Sequence, residues 1–182
     1  MTDLQIRDLT PAFGSEIIGL DGSTALADAE LCDELRSLFD RRGVLVFRDV
    51  DIDERTQCDL IRRLIGLGPL PADESPTGRP NGAAFYVSNK EPEGGAPFGR
   101  LLFPCDMMWS EHPFQVLSLY GVEVEPPVSP TLFTSAVYGW ETLPDDLRAR
   151  AEPLIAIQGR AEHEGARGGN DPDGLITTFD NL

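Results

Sequence analysis

Asp28-Ala29-Glu30-Leu31-Cys32-Asp33-Glu34-Leu35-Arg36-Ser37-Leu38-Phe39-Asp40-Arg41-Arg42-Gly43-Val44-Leu45-Val46-Phe47-Arg48 carries two periods back to back. Leu31, Leu35, Leu38 and Phe39 fall at i, i+4, i+7 and i+8, the spacing of one helix face. Asp28 can cap the helix start through its short carboxylate, and Gly43 can stop it. Val44 to Phe47 then forms a fully apolar strand. Upstream, Ser15 to Leu20 is a short apolar run closed by Asp21-Gly22. Downstream, a second helix starts near Asp53 and carries Leu60, Ile61, Leu64 and Ile65 inward before Gly66. The opening third therefore predicts strand, helix, strand, helix.

Beyond Gly66 the composition turns to Gly, Pro, Ser and Asp as far as Pro80, which predicts a loop. Phe85-Tyr86-Val87 predicts a short strand and Glu91 to Gly99 another loop. Gln115 to Val124 predicts a strand with Val116, Ser118, Tyr120 and Val122 on one face, and Thr131 to Ser135 one more. Pro144 to Ala151 predicts a short helix with proline near its first position and two aspartates in the first turn. Leu154 to Ile157 closes the ordered pattern. The glycines at 165, 168, 169 and 174 predict a mobile Gly/Asp-rich tail over 161–182.

Composition narrows the function. At 182 residues, 41% apolar, the chain holds one domain rather than two. Fifteen Lys plus Arg against 31 Asp plus Glu leave a net charge of −16, which disfavours nucleic acid and anionic membranes as partners. There is no run of about eighteen apolar residues, and Met1 to Asp8 lacks the pattern of a secretory signal, so a cytoplasmic location is expected. Cys32, Cys58 and Cys105 have no C-x-x-C spacing and read as reduced thiols, with Cys105 expected to be buried. Lys90 is the sole lysine and no G-K-[ST] loop exists, which excludes P-loop chemistry. Only His112 and His163 offer imidazoles, and neither G-x-S-x-G nor H-E-x-x-H is present.

The most informative stretch is Phe103-Pro104-Cys105-Asp106-Met107-Met108-Trp109-Ser110-Glu111-His112-Pro113-Phe114. It is followed by Leu117-Ser118-Leu119-Tyr120, Glu125-Pro126-Pro127, Thr131-Leu132-Phe133 and Leu143-Pro144-Asp145. With Gly43 to Arg48 upstream, this order and spacing resembles the TauD/TfdA family of Fe(II)- and 2-oxoglutarate-dependent dioxygenases. The resemblance covers about residues 4 to 160, the N-terminal half or so of a typical member.

That resemblance implies a fold, a cofactor pair and a set of site residues. A non-haem Fe(II) oxygenase needs two histidines and one carboxylate on one face, leaving positions open for the 2-oxo acid and O₂. In the family the first histidine and the carboxylate form a His-x-Asp pair on a strand, where the period of two points both side chains the same way. The matching positions here are Pro104 and Asp106, so Asp106 is the implied metal ligand and the first imidazole is replaced. Cys105, between them, points to the opposite face of such a strand and cannot substitute. His112 lies beyond the strand end and His163 at the start of the tail. The family's distal histidine and 2-oxoglutarate-binding arginine lie on late strands with no counterpart before Leu182. Thr131 matches a threonine that helps hold the 2-oxoglutarate carboxylate, although Ser129-Pro130 precedes it in place of the usual Gly-Asp. Trp109 matches an aromatic residue of the substrate pocket.

The expectation is an α+β fold: an incomplete double-stranded β-helix (jelly roll) with the N-terminal helices packed on the sheet, over residues 1–160. Missing late strands would expose edges and an apolar face, which predicts homo-oligomerisation, a rearranged sheet or poor solubility. The implied function is hydroxylation of a small molecule with Fe(II) and 2-oxoglutarate, impaired by the incomplete ligand set. The alternative is a non-catalytic binding or interaction protein that keeps a small-molecule pocket around Trp109, Tyr120 and Thr131.

Overall fold

The helix predicted from Asp28 to Gly43 forms as α2, Ala29–Arg42, in a computed structural model that describes residues 4–73, 86–90, 103–105, 114–128 and 130–154. The Asp28 carboxylate accepts the Leu31 N–H at 3.0 Å, satisfying an amide that the helix itself leaves without a partner. At the other end Gly43 adopts φ 69°, a left-handed conformation that side chains resist, and its N–H closes on the Phe39 carbonyl at 2.7 Å.

The chain divides into two units, one built from 1–85 with 115–129 and the other from 86–114 with 130–182. In the first, strands β1 (Gln5–Asp8), β2 (Ser15–Ile18) and β3 (Leu45–Arg48) form a mixed sheet in that order. β1 and β2 are antiparallel with Arg7 opposite Glu16, and β2 and β3 are parallel with Ile17 opposite Phe47. A parallel pair needs a crossover, which α1 (Gly22–Ala27) and α2 supply. α3 (Glu54–Leu64) follows β3 and starts at Asp53, whose carboxylate accepts the Thr56 N–H at 2.7 Å.

The core lies between the sheet and the helices. Ile17 from β2 meets Leu20, Ala25 from α1, Leu35 from α2, and Leu60 and Leu64 from α3, with Leu45 and Phe47 of β3 packed beside them. The two helices predicted from the sequence, α2 and α3, lie together with α1 against one face of the sheet. Gly22 makes the close approach between α1 and the start of α3 feasible: a Cβ there would sit 2.3 Å from Ile52 Cγ2.

Two elements of this unit had no sequence signal. β1 contains a single apolar residue, Ile6, and all four of its residues are exposed, so no alternation marks it. α1 is six residues long and opens Gly-Ser-Thr, a composition that reads as a turn.

The strands expected later in the chain do not appear as strands. Residues 115–124 belong to no strand, and of 85–87 only Tyr86 and Val87 are described, with Val87 in an isolated bridge. Two residues of the expected inward face, Ser118 and Tyr120, do make contacts. Ser118 Oγ accepts from Gln57 Nε2 at 2.8 Å and Tyr120 Oη donates to the Val50 carbonyl at 3.2 Å. Leu117 and Leu119 face away, 61% and 75% exposed. Val122, expected on the same face as Ser118 and Tyr120, is 73% exposed, so the alternation stops at Tyr120, and among the described residues no strand pairs with the segment.

The segment 131–135 is likewise not a strand. Ser135 is instead the N-cap of α4 (Ala136–Glu141), its Oγ accepting the Tyr138 N–H at 3.1 Å. In the second unit α4 is followed by α5 (Asp145–Ala151), with Asp145 and Asp146 in the first turn as expected. Pro144 occupies the cap position rather than the first helical one. Arg148 joins the pair, its Nη2 donating to the Glu141 carbonyl at 2.8 Å and its guanidinium lying 6.0 Å from the centre of the Trp140 ring. The tail expected over 161–182 lies outside the described residues.

Candidate functional site

The residues singled out by the sequence fall unevenly on the structure. Pro104 and Cys105 are described and exposed, following Phe103 at φ 37°. Cys105 is thus not the buried thiol expected from composition; Cys32 and Cys58 are the buried pair. Thr131 is exposed, with Leu132 and Phe133 after it also exposed. Asp106, Trp109, His112 and His163 lie outside the described residues. Tyr120 belongs to the first unit, where its hydroxyl is engaged with Val50, while Thr131 belongs to the second.

The structure also brings together residues that the sequence reading did not connect. One group is a cavity of about 530 Å³ at the C-terminal ends of β2 and β3, lined by Leu20, Asp21, Gly22, Asp49, Asp51 and Ile52, with Asp53 and Thr56 at its α3 wall. Asp49 takes a left-handed φ of 54° there. The Asp53 carboxylate is committed to capping α3, and its hydrogen bonds to Thr56 hold it below the usual carboxylate value of 3.8. The sequence signal for this group is the alternation of aspartates at 49, 51 and 53. Among the described residues no group of three or more His, Cys, Asp or Glu is placed to hold a metal ion.

The second group is a charge row across the sheet. Glu16 sits at the centre of β2 with its side chain only 5% exposed. Its Oε1 accepts from Arg48 Nε on β3 at 2.6 Å, and its Oε2 is paired with Arg7 on β1. A buried carboxylate survives only when paired. Here one guanidinium from each flanking strand does so, Arg48 foremost and then Arg7, holding the carboxyl below its usual 4.5.

A family model, Taurine catabolism dioxygenase TauD, TfdA family, matches residues 5–178. The chain belongs to the TauD/TfdA family. No curated protein and no solved structure matches it.

Members of the TauD/TfdA family generally use Fe(II) and 2-oxoglutarate. Whether the residues here suit that pair turns on position 104. A facial triad needs two imidazoles and one carboxylate, and at position 104 proline supplies neither a side-chain nitrogen donor nor a backbone N–H. Cys105, its neighbour, is exposed. The donor set at 104–106 does not fit the two-histidine, one-carboxylate site of the family.

No helix among the described residues is long and apolar enough to cross a membrane.

Proposed function

We propose that this TauD/TfdA-family chain derives from Fe(II)/2-oxoglutarate dioxygenases that hydroxylate small molecules, and that its own turnover is impaired at the metal site. The observation that carries this reading is Pro104, two residues before Asp106, where the family's first imidazole ligand is expected. In this reading Asp106 is the retained ligand position, Thr131 contacts the 2-oxoglutarate carboxylate, and Trp109 lines the substrate pocket. A lone carboxylate binds ferrous iron weakly and without selectivity. In this reading the dioxygenase-like domain spans 1–160 and takes its fold from the family's double-stranded β-helix. The net charge of −16 supports a small-molecule ligand over nucleic acid or membrane.

The test is 2-oxoglutarate-dependent succinate formation with added Fe(II), comparing the chain with Asp106→Ala and Pro104→His. The reading expects no succinate above the Asp106→Ala background, and restored Fe(II)-dependent formation is not required of Pro104→His. Succinate from the unaltered chain that disappears in Asp106→Ala would overturn it.

The same proline favours a second reading, a non-catalytic small-molecule-binding protein that keeps pocket residues without the metal. Co(II) titration separates the two. Weak binding that is lost in Asp106→Ala supports a remnant metal centre, and its absence supports the binding protein.

A further inference from the structure

The strand β1 is fastened to its sheet almost wholly by polar groups. All four of its residues are exposed, and Leu4, just before it, packs only partly against the core. Apolar burial therefore contributes little to holding it. What remains is a four-residue backbone ladder and three side-chain ties: Arg7 to Glu16, Ser15 Oγ to Asp8 Oδ1 at 3.1 Å, and Arg42 Nη2 to Asp8 Oδ1 at 3.4 Å. Each tie ends on a carboxylate.

The neighbouring elements are held differently. β3 is joined to β2 by a parallel ladder and contributes Leu45 and Phe47 to the core, while α2 and α3 bury Leu35, Leu60 and Leu64. Elements with few buried apolar contacts open at lower free energy than those that build the core. Glu16 is also shared unequally in its consequences. Arg48 can keep its place through the apolar residues of β3 without Glu16, whereas β1 is left only its ladder, the Asp8 contacts and the turn that follows it.

We propose that β1 is a releasable edge strand: it detaches from β2 while β2, β3 and the helices stay folded, and the Glu16 charge is its latch. Release bares the hydrogen-bonding edge of β2, which is otherwise the central strand of the sheet. The described charged groups facing Glu16 are Arg7 from β1 and Arg48 from β3; α1 to α3 pack on the opposite face, with Ile17. Because Glu16 titrates below its usual 4.5, the latch is closed above that pH and opens as pH falls through the lowered value.

Hydrogen exchange on the full chain, read by mass spectrometry and corrected for intrinsic rates, tests this. At neutral pH, Glu16→Gln and Arg7→Ala should each speed exchange of the β1 amides about tenfold and leave α2 and α3 unchanged. Arg7 is 69% exposed, so its truncation leaves the core intact and decides the matter if Glu16→Gln fails to fold. The unaltered chain and Glu16→Gln should converge in β1 exchange as the pH drops below 4.5. The proposal is overturned if β1 amides exchange together with those of α2 and α3, or if Arg7→Ala leaves β1 exchange unchanged.

Discussion

Gly14 and Arg42 hold each other in both directions: the Gly14 N–H donates to the Arg42 carbonyl at 2.8 Å, and Arg42 Nη2 donates back to the Gly14 carbonyl at 2.9 Å. The same guanidinium reaches the Thr10 carbonyl at 2.6 Å and Ser15 Oγ at 3.1 Å. The last residue of α2 thus clamps the turn between β1 and β2. Truncating it removes the charge-assisted hydrogen bonds to Thr10, Gly14 and Ser15, so Arg42→Ala should cost about 2 kcal/mol. The denaturant midpoint should fall with an unchanged slope. Arg42→Lys should recover only part of the loss, because an ammonium cannot span the fork of acceptors. Full recovery by lysine would show that charge alone, rather than the planar geometry, holds the turn.

A second relationship is steric. Ile52 Cγ2 fills the space where a Gly22 side chain would begin. Gly22→Ala should therefore destabilise the first unit by roughly 1 to 3 kcal/mol, the range for overpacking. Removing the obstructing methyl in a Gly22→Ala, Ile52→Ala double variant should cost less than the sum of the two single changes, and a double-mutant cycle reads that coupling directly. Additive effects would mean that the glycine serves its backbone and not this contact.

These contacts bear on how much the sequence alone could convey. α2 and α3 were legible because each combines an apolar period with an aspartate cap, so local signals and core packing agree. β1 was not, because its place depends on Arg7 meeting Glu16, a pairing that no local pattern encodes. At 131–135 the apolar Leu132-Phe133 suggested a strand, yet Ser135 caps a helix three residues before the Tyr138 amide. The candidate site was legible only as a family pattern. Its most telling position, Pro104, speaks through an atom that proline lacks, while the aspartates of the cavity are separated in sequence from Asp21 and converge only through the parallel pairing of β2 and β3.

The two aspartate caps differ in what they predict. Asp28→Ala should cost about 1 kcal/mol through loss of the Leu31 amide's partner, and Asp28→Asn should restore most of it. Asp53 adds a pH dependence, since its folded value lies below the usual 3.8. Its contribution to stability is present above 3.8 and is lost as pH falls through the lowered value. Asp53→Asn should flatten the stability profile in that acid window while leaving the neutral midpoint near that of the unaltered chain. An unchanged acid slope would place the proton uptake elsewhere.

The thiols should react in an order set by burial. Cys105 is exposed, whereas Cys32 and Cys58 are buried, and burial pushes both of their thiols above the usual 9.0. Cys32 is further held by donating to the Ala25 carbonyl at 3.0 Å within the core side of α2. Since thiolate fraction and access govern disulfide exchange, an aromatic disulfide reagent should titrate Cys105 alone in the native chain and all three thiols only after unfolding. Cys105→Ser should abolish the fast reaction without changing the slow one. A fast second thiol that persists in Cys105→Ser would mean that α2 or α3 opens locally, and would also weaken the contrast between a firm helical layer and a loosely held β1.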